Sequence, residues 1–225
     1  PLGWRHLRLD VTVMRSVLRL SVSGTIQILI GTASYIGLVR IVSIYGSAAL
    51  AGYTIAIRVI LFALLPAFGL SNAAATLVGQ NLGAGRAERA ERAVWTAARY
   101  NMIFLGGLGV LFLFAANSIA AVFTSEPLVH PHAVSCLRIV SAGFLFYAFG
   151  MVLTQAFNGA GDTWTPTLIN LFVFWACEIP LAWWLASSAQ LGPTGVFIAM
   201  AIAYSLLAVV SAVLFRRGAW KRKRV

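Results

Sequence analysis

Residues 48–85 read AALAGYTIAIRVILFALLPAFGLSNAAATLVGQNLGAG. From about Leu50 to Val78 this is an apolar run interrupted by a single cation, Arg58, and a single proline, Pro66. A helix needs about 20 mainly apolar residues to cross a hydrocarbon layer roughly 30 Å thick, so this run spans it with residues to spare. Proline inside a helix removes one backbone hydrogen bond that neighbours must resatisfy, and a bend near Pro66 is expected. Gly79, Gln80, Gly83 and Gly85 close the run. A phosphate loop would need a preceding strand and a Gly-Lys-Ser/Thr sequence; with neither present, the glycines read as a helix C-cap and turn.

The rest of the chain repeats the pattern. Of its 225 residues, 60% are apolar and 10% charged, which points to lipid as the solvent. Six stretches qualify or nearly qualify as crossings, near 20–44, 50–78, 95–116, 133–157, 166–187 and 194–215. The reading is an all-α, polytopic six-helix bundle over 20–215, with an N-terminal segment 1–19 and a basic tail 216–225. Residues 79–95 form a glycine turn and an Arg/Glu-rich amphipathic stretch, and 117–132 read as a loop. Span one carries Gly24, Gly31, Ala33 and Gly37, small residues that let helices approach closely in lipid.

The 17 basic residues are distributed as topology requires and not as a nucleic-acid patch. Arg5, Arg8, Arg15 and Arg19 precede span one, Arg86, Arg89, Arg92 and Arg99 lie around the start of span three, and Arg216, Arg217, Lys221, Arg222, Lys223 and Arg224 follow span six. Only Arg40 and Arg138 lie near the opposite ends. The positive-inside rule then places both ends of the segment in the cytoplasm, and the membrane expected is a bacterial inner membrane. Trp95 and Trp164 near inner ends, and Trp183 and Trp184 near an outer end, suit interfacial belts. Cys136 and Cys177 fall inside spans and read as small buried hydrophobes. His130 and His132 have no firm third ligand, so no metal is expected. The chain begins at Pro1 with no signal pattern, as expected of a piece of a longer reading frame.

Arg58 and Glu178 lie inside spans, where an ionisable group needs a partner or water. At about 1.5 Å per residue each sits roughly 13 Å from the outer end of its helix. Two readings follow: a fixed Arg58–Glu178 ion pair, or a Glu178 that handles a cation or a cationic substrate. Gln27, Gln155, Asn158 and Asn170 lie toward the inner halves of their helices and either bridge helices or line a wet cavity. Tyr35, Tyr53, Phe144, Phe146, Tyr147 and Trp175 could wall a site for organic cations.

The 48–85 stretch resembles the region after the first helix of one lobe of the multidrug and toxic compound extrusion (MATE) transporters. A second block, FNGAGDTWTPTLINLFVFWACEIPLAWWLA at 157–186, resembles the later part of the same lobe. Its Gly159, Gly161, Asp162 and Pro180 match family structural positions, as do Pro66, Gly79, Gln80, Gly83 and Gly85 in the first. The resemblance implies helices seven to twelve of a twelve-helix, two-lobe exporter, with the N-terminal six-helix lobe as partner. It implies export of organic, often cationic, compounds in exchange for protons or sodium ions, with no cofactor. Pathway candidates are Glu178, Arg58, Gln27, Tyr35, Asn170 and Gln155. The sodium-type acids of the first and fourth helices have no counterpart here, Gln27 standing in the first, so the coupling ion stays unassigned.

Other readings are a flippase of lipid-linked oligosaccharides from the same superfamily, a non-transporting scaffold half, and an intramembrane enzyme. The last needs a nucleophile and base, or clustered His and acids, at one depth, and all three histidines lie outside the spans. The chain is therefore read as not an enzyme.

Overall fold

The computed structural model describes residues 11–222, and there the chain is helical, with no strand among the described residues. Residues 1–10 of the expected N-terminal segment, including Arg5 and Arg8, and Lys223 and Arg224 of the tail lie outside them. Three long helices come first: α1 (Val11–Ser43), α2 (Ser47–Gly83) and α3 (Ala87–Phe123). A fourth crossing is made by α4 (His130–Ala142) and α5 (Phe144–Gly159), bent by 56° at Gly143. The fifth is composite: α6 (Trp164–Asn170), a π-helical stretch Leu171–Glu178, α7 (Ile179–Trp183) and a π turn Trp184–Ser188. Helix α8 (Pro193–Arg216) and a 3-10 turn (Ala219–Arg222) close the chain. Among the described residues, five helices are long and apolar enough to cross a membrane, and six when the bent pair counts as one.

The helices overrun several expected limits. The Arg/Glu-rich stretch 87–95 is itself helical, the opening turns of α3. The loop expected over 117–132 shrinks to residues 124–129, because α3 continues to Phe123 and Pro131 occupies the first turn of α4, where its missing N–H costs nothing. His130 and His132 are therefore helical. His130 Nε2 meets the carbonyl of Asn117 at 3.3 Å.

The two Gly-Ala-Gly strings become the same device. Gly85 (φ 70°) and Gly161 (φ 74°) adopt the left-handed conformation that glycine enters without a Cβ penalty. Arg86 N–H donates to Asn81 O at 2.8 Å, and Asp162 N–H donates to Phe157 O at 2.9 Å. Both are the six-to-one bond of a Schellman C-cap. Asp162 also accepts from the Thr165 hydroxyl at 2.8 Å, which fixes the entry into α6.

Breaks fall where packing or proline demands them. Helix α2 is continuous from Ser47 to Gly83 through Pro66, so the expected bend is not a break in that helix. The sharp bend comes at Gly143, where a Cβ would lie 3.1 Å from Tyr204 and 3.2 Å from the Ala201 backbone of α8. Pro180 lacks a donor and its ring would press on the carbonyl four residues earlier; the π-helical stretch before it widens the backbone there. Closest of all is α5 to α2, where a Cβ on Gly159 would strike the Ala75 carbonyl. Glycine at 159 is thus set by interhelical distance. Gly159→Ala should lower thermal stability in detergent by the equivalent of about 1–3 kcal/mol, as overpacking does. Gly107→Ala, with nothing within 4 Å, should be neutral or stabilising by up to about 1 kcal/mol. A melting series on the two variants measures both.

Candidate functional site

Helices α1 and α2 diverge over a cavity of about 530 Å³ that α5, α8 and the fifth crossing complete. Its wall is mainly aliphatic and aromatic, with Tyr35, Tyr53, Tyr147 and Tyr204 around one carboxylate, Glu178. Among the described residues, no Arg, Lys or His lines it. Glu178 is 3% exposed and ends the π-helical stretch. The Ser34 hydroxyl of α1 lies 3.2 Å from Glu178 Oε2 and 3.2 Å from the Phe174 carbonyl. The Trp175 indole N–H donates to Ile30 O at 3.1 Å, a second tie between α1 and the π-helical stretch, one turn before the carboxylate.

The Arg58–Glu178 ion pair is not formed. Arg58 is exposed, on the side of α2 away from buried Tyr53, Ile57 and Ile60. Among the described residues the ion pair is Lys221 with Glu91. Matching depth gave no information on the direction around the helix axis, and that direction separates the two groups. Glu178 thus sits in the wall with a hydroxyl neighbour and no cation. An unpaired charge at such a place is costly, so the group is held with a proton, a bound cation or cavity water.

The tyrosines complete the upper chamber. Tyr53 is fully buried, with ring centroids 6.2 Å from Tyr35 and 6.0 Å from Phe197. Its hydroxyl has no hydrogen-bond partner among the described residues. Tyr147 and Tyr204 lie 4.2 Å apart, centroid to centroid. The other aromatic candidates take different positions. Phe144 is buried against Phe112, and Phe146 and Trp175 are outside the cavity wall.

A smaller hollow of about 210 Å³ adjoins the first, sharing Gln27, Tyr147 and Asn170. Gln27 and Asn158 exchange two amide bonds, at 3.2 and 3.3 Å, and Gln27 also donates to Thr163 O at 3.1 Å. Asn158 donates to Gln155, and Gln155 donates to Asn72 Oδ1 at 2.6 Å. These amides run as a chain across α1, α5 and α2. Ser23 adds a bond to Thr163 at 2.6 Å. Asn170 lines both hollows. Sequence reading named Gln27, Gln155, Asn158 and Asn170 but missed Ser34, Tyr204, Asn72 and Thr163. Small hydroxyls and amides in apolar helices are common, and only the packing shows which of them meet.

Trp95 differs from the expected belt residue: it is packed between Phe149 and Phe215 and donates to Glu91 at 3.3 Å. Trp164, Trp183 and Trp184 are exposed. The cysteines are free, Cys136 buried and Cys177 half-buried. No group of three His, Cys, Asp or Glu among the described residues is arranged to hold a metal.

The amide chain has a measurable energy. A double-mutant cycle on Gln27→Ala and Asn158→Ala should give a coupling near 0.6 kcal/mol and no more than about 1.7 kcal/mol, the range for such bonds between helices in membranes. Unfolding free energies in bicelles supply the four corners of the cycle.

Comparison with known proteins agrees with this architecture. The MatE family profile matches residues 25–184. A probable multidrug resistance protein of Bacillus subtilis, YoeA, is 27% identical over 223 residues, covering 98% of this chain and 48% of that protein. A probable multidrug resistance protein of Thermotoga maritima, NorM, is 25% identical over 211 residues, covering 94% and 46%. The chain therefore spans about half the length of the curated relatives it matches. A solved outward-facing multidrug resistance MATE transporter superposes with a TM-score of 0.90 at 20% identity, over 98% of this chain and 50% of that one. That likeness is one of fold.

Proposed function

The chain belongs to the multidrug and toxic compound extrusion (MatE) family, and from that premise we propose that it is the C-terminal lobe of a two-lobe secondary exporter. The exporter expels organic, often cationic, compounds in exchange for protons or sodium ions. The observation that carries this reading is one acid, Glu178, in a cavity of about 530 Å³ walled by tyrosines, with no basic residue among the described residues that line it. Such a wall attracts organic cations through ring faces and one carboxylate without demanding one shape. The same carboxylate can take a proton or an alkali cation once the substrate leaves, so binding of one disfavours the other.

The partner is an N-terminal six-helix lobe. Half-length coverage of the relatives supports it, as does the outer face of α2, where Arg58 is exposed beside Phe62 at 79% and Leu65 at 58%. A cation on such a face needs a polar neighbour inside a membrane. Both ends of this lobe lie in the cytoplasm of a bacterial inner membrane in this reading, supported by the basic residues at alternate ends. A pyrophosphate-linked sugar would call for cations in the cavity, and the absence of Arg, Lys and His from the described residues of its wall disfavours the flippase.

In the complete exporter, Glu178→Gln should slow efflux of a cationic dye by about tenfold or more and flatten its dependence on pH or sodium. A tenfold loss corresponds to about 1.4 kcal/mol. Dye efflux from energised cells across a pH and sodium series reads both; unchanged rate and unchanged ion dependence would remove Glu178 from the mechanism.

A further inference from the structure

Away from the central cavity, the 56° bend at Gly143 leaves an apolar groove of about 530 Å³ on the outside of the bundle, between α3, the α4–α5 corner and α8. Leu113, Ile139, Phe146, Ile198 and Ile202 line it. A second hollow of about 430 Å³ lies toward the start of α4 and has a mixed wall, with His130, Ser135 and Arg138 beside Pro131, Val134 and Ile139. The two share Arg138 and Ile139. They therefore form one amphiphilic depression, hydrocarbon-lined at the bend and cationic toward the helix end.

Arg138 is exposed and makes no ion pair among the described residues. Among the described residues, no carboxylate lines either hollow. The nearby ionisable groups are His130, which lines the second hollow, His132, whose Cβ packs toward Gly52 of α2, and Glu126 in the exposed 124–129 loop. An arginine near a helix end within an apolar surface extends its guanidinium toward the headgroup layer, where a phosphate accepts charge-assisted hydrogen bonds from it.

We propose that this depression is a binding site for an anionic phospholipid, with the phosphate against Arg138, Ser135 and His130 and an acyl chain lying in the groove at the Gly143 bend. A lipid seated there fills the hollow that the bent crossing opens and braces α4–α5 against α8. The occupant is fixed by its two ends: the apolar groove requires a chain, and the unpaired guanidinium requires an anionic head.

The test uses delipidated purified protein titrated with phosphatidylglycerol or phosphatidylcholine, with bound lipid counted by native mass spectrometry and thermal stability followed in parallel. The wild type should retain phosphatidylglycerol in preference to phosphatidylcholine and melt higher with it. Arg138→Gln should weaken phosphatidylglycerol binding by about fivefold, equivalent to about 1 kcal/mol, the upper end for an exposed ion pair. Arg138→Lys should keep most of it. Ile202→Trp, which fills the groove from an exposed position, should weaken both lipids. Arg40→Gln, at the end of α1 and outside the depression, should change neither. Equal phosphatidylglycerol binding by wild type and Arg138→Gln overturns the proposal, as does an equal loss in Arg40→Gln.

Discussion

A carboxylate buried in an apolar bundle without a cation beside it is the constraint on which the rest of this structure turns. Glu178 is 3% exposed, and the hydroxyl of Ser34 donates to it. Water normally dissipates such a charge; inside a low-dielectric wall it must be neutralised or solvated locally. The surroundings meet that demand with a cavity, a ring of tyrosines and a helix whose backbone has shifted to π geometry where the carboxylate projects. The π-helical stretch also accommodates Pro180 two residues on. One local distortion therefore both relieves the proline and brings Glu178 and the Phe174 carbonyl to the same hydroxyl on α1.

Around that point the bundle divides its labour. The wide chamber is aromatic and acidic, and the narrow one adjoining it is crossed by amides from three helices. Close helix approaches at Gly159 and Gly143 keep the walls together, while the Schellman caps at Gly85 and Gly161 end two helices in the same way. Buried hydrophobic residues fall in two clusters, one around Tyr53, Phe144 and Phe197 and one around Val94, Phe157 and Phe215. Trp220 belongs to the second, donating to Phe215 O at 3.0 Å, so the residues after α8 fold back onto the bundle.

Much of this could be read from the sequence, and the exceptions have physical causes. Long apolar runs announce membrane helices because lipid leaves the backbone no other way to satisfy itself. The repeated Gly-Ala-Gly strings announce caps because only glycine enters the left-handed conformation freely. Glu178 stood out as an acid in an apolar run. Of its two readings, the pairing with Arg58 fails because depth along a helix says nothing about the direction around it. The bend at Gly143 was missed, since it is imposed by contact with Ala201 and Tyr204, far away in sequence. Ser34 gave no signal, as hydroxyls in apolar helices usually bond their own backbone; Thr163, just before α6, gave none because its partners Ser23 and Gln27 are far away in sequence.

The central claim is that Glu178 is a cation-exchange point accessible from the cavity, and chemical labelling addresses it most directly. A hydrophobic carbodiimide, which attacks carboxyl groups in apolar surroundings, should modify Glu178 in the complete protein, and a transported organic cation or the coupling ion should slow that reaction in a dose-dependent way. Modification of Glu178 at a rate indifferent to every substrate and ion, or no modification of it at all, would contradict the account.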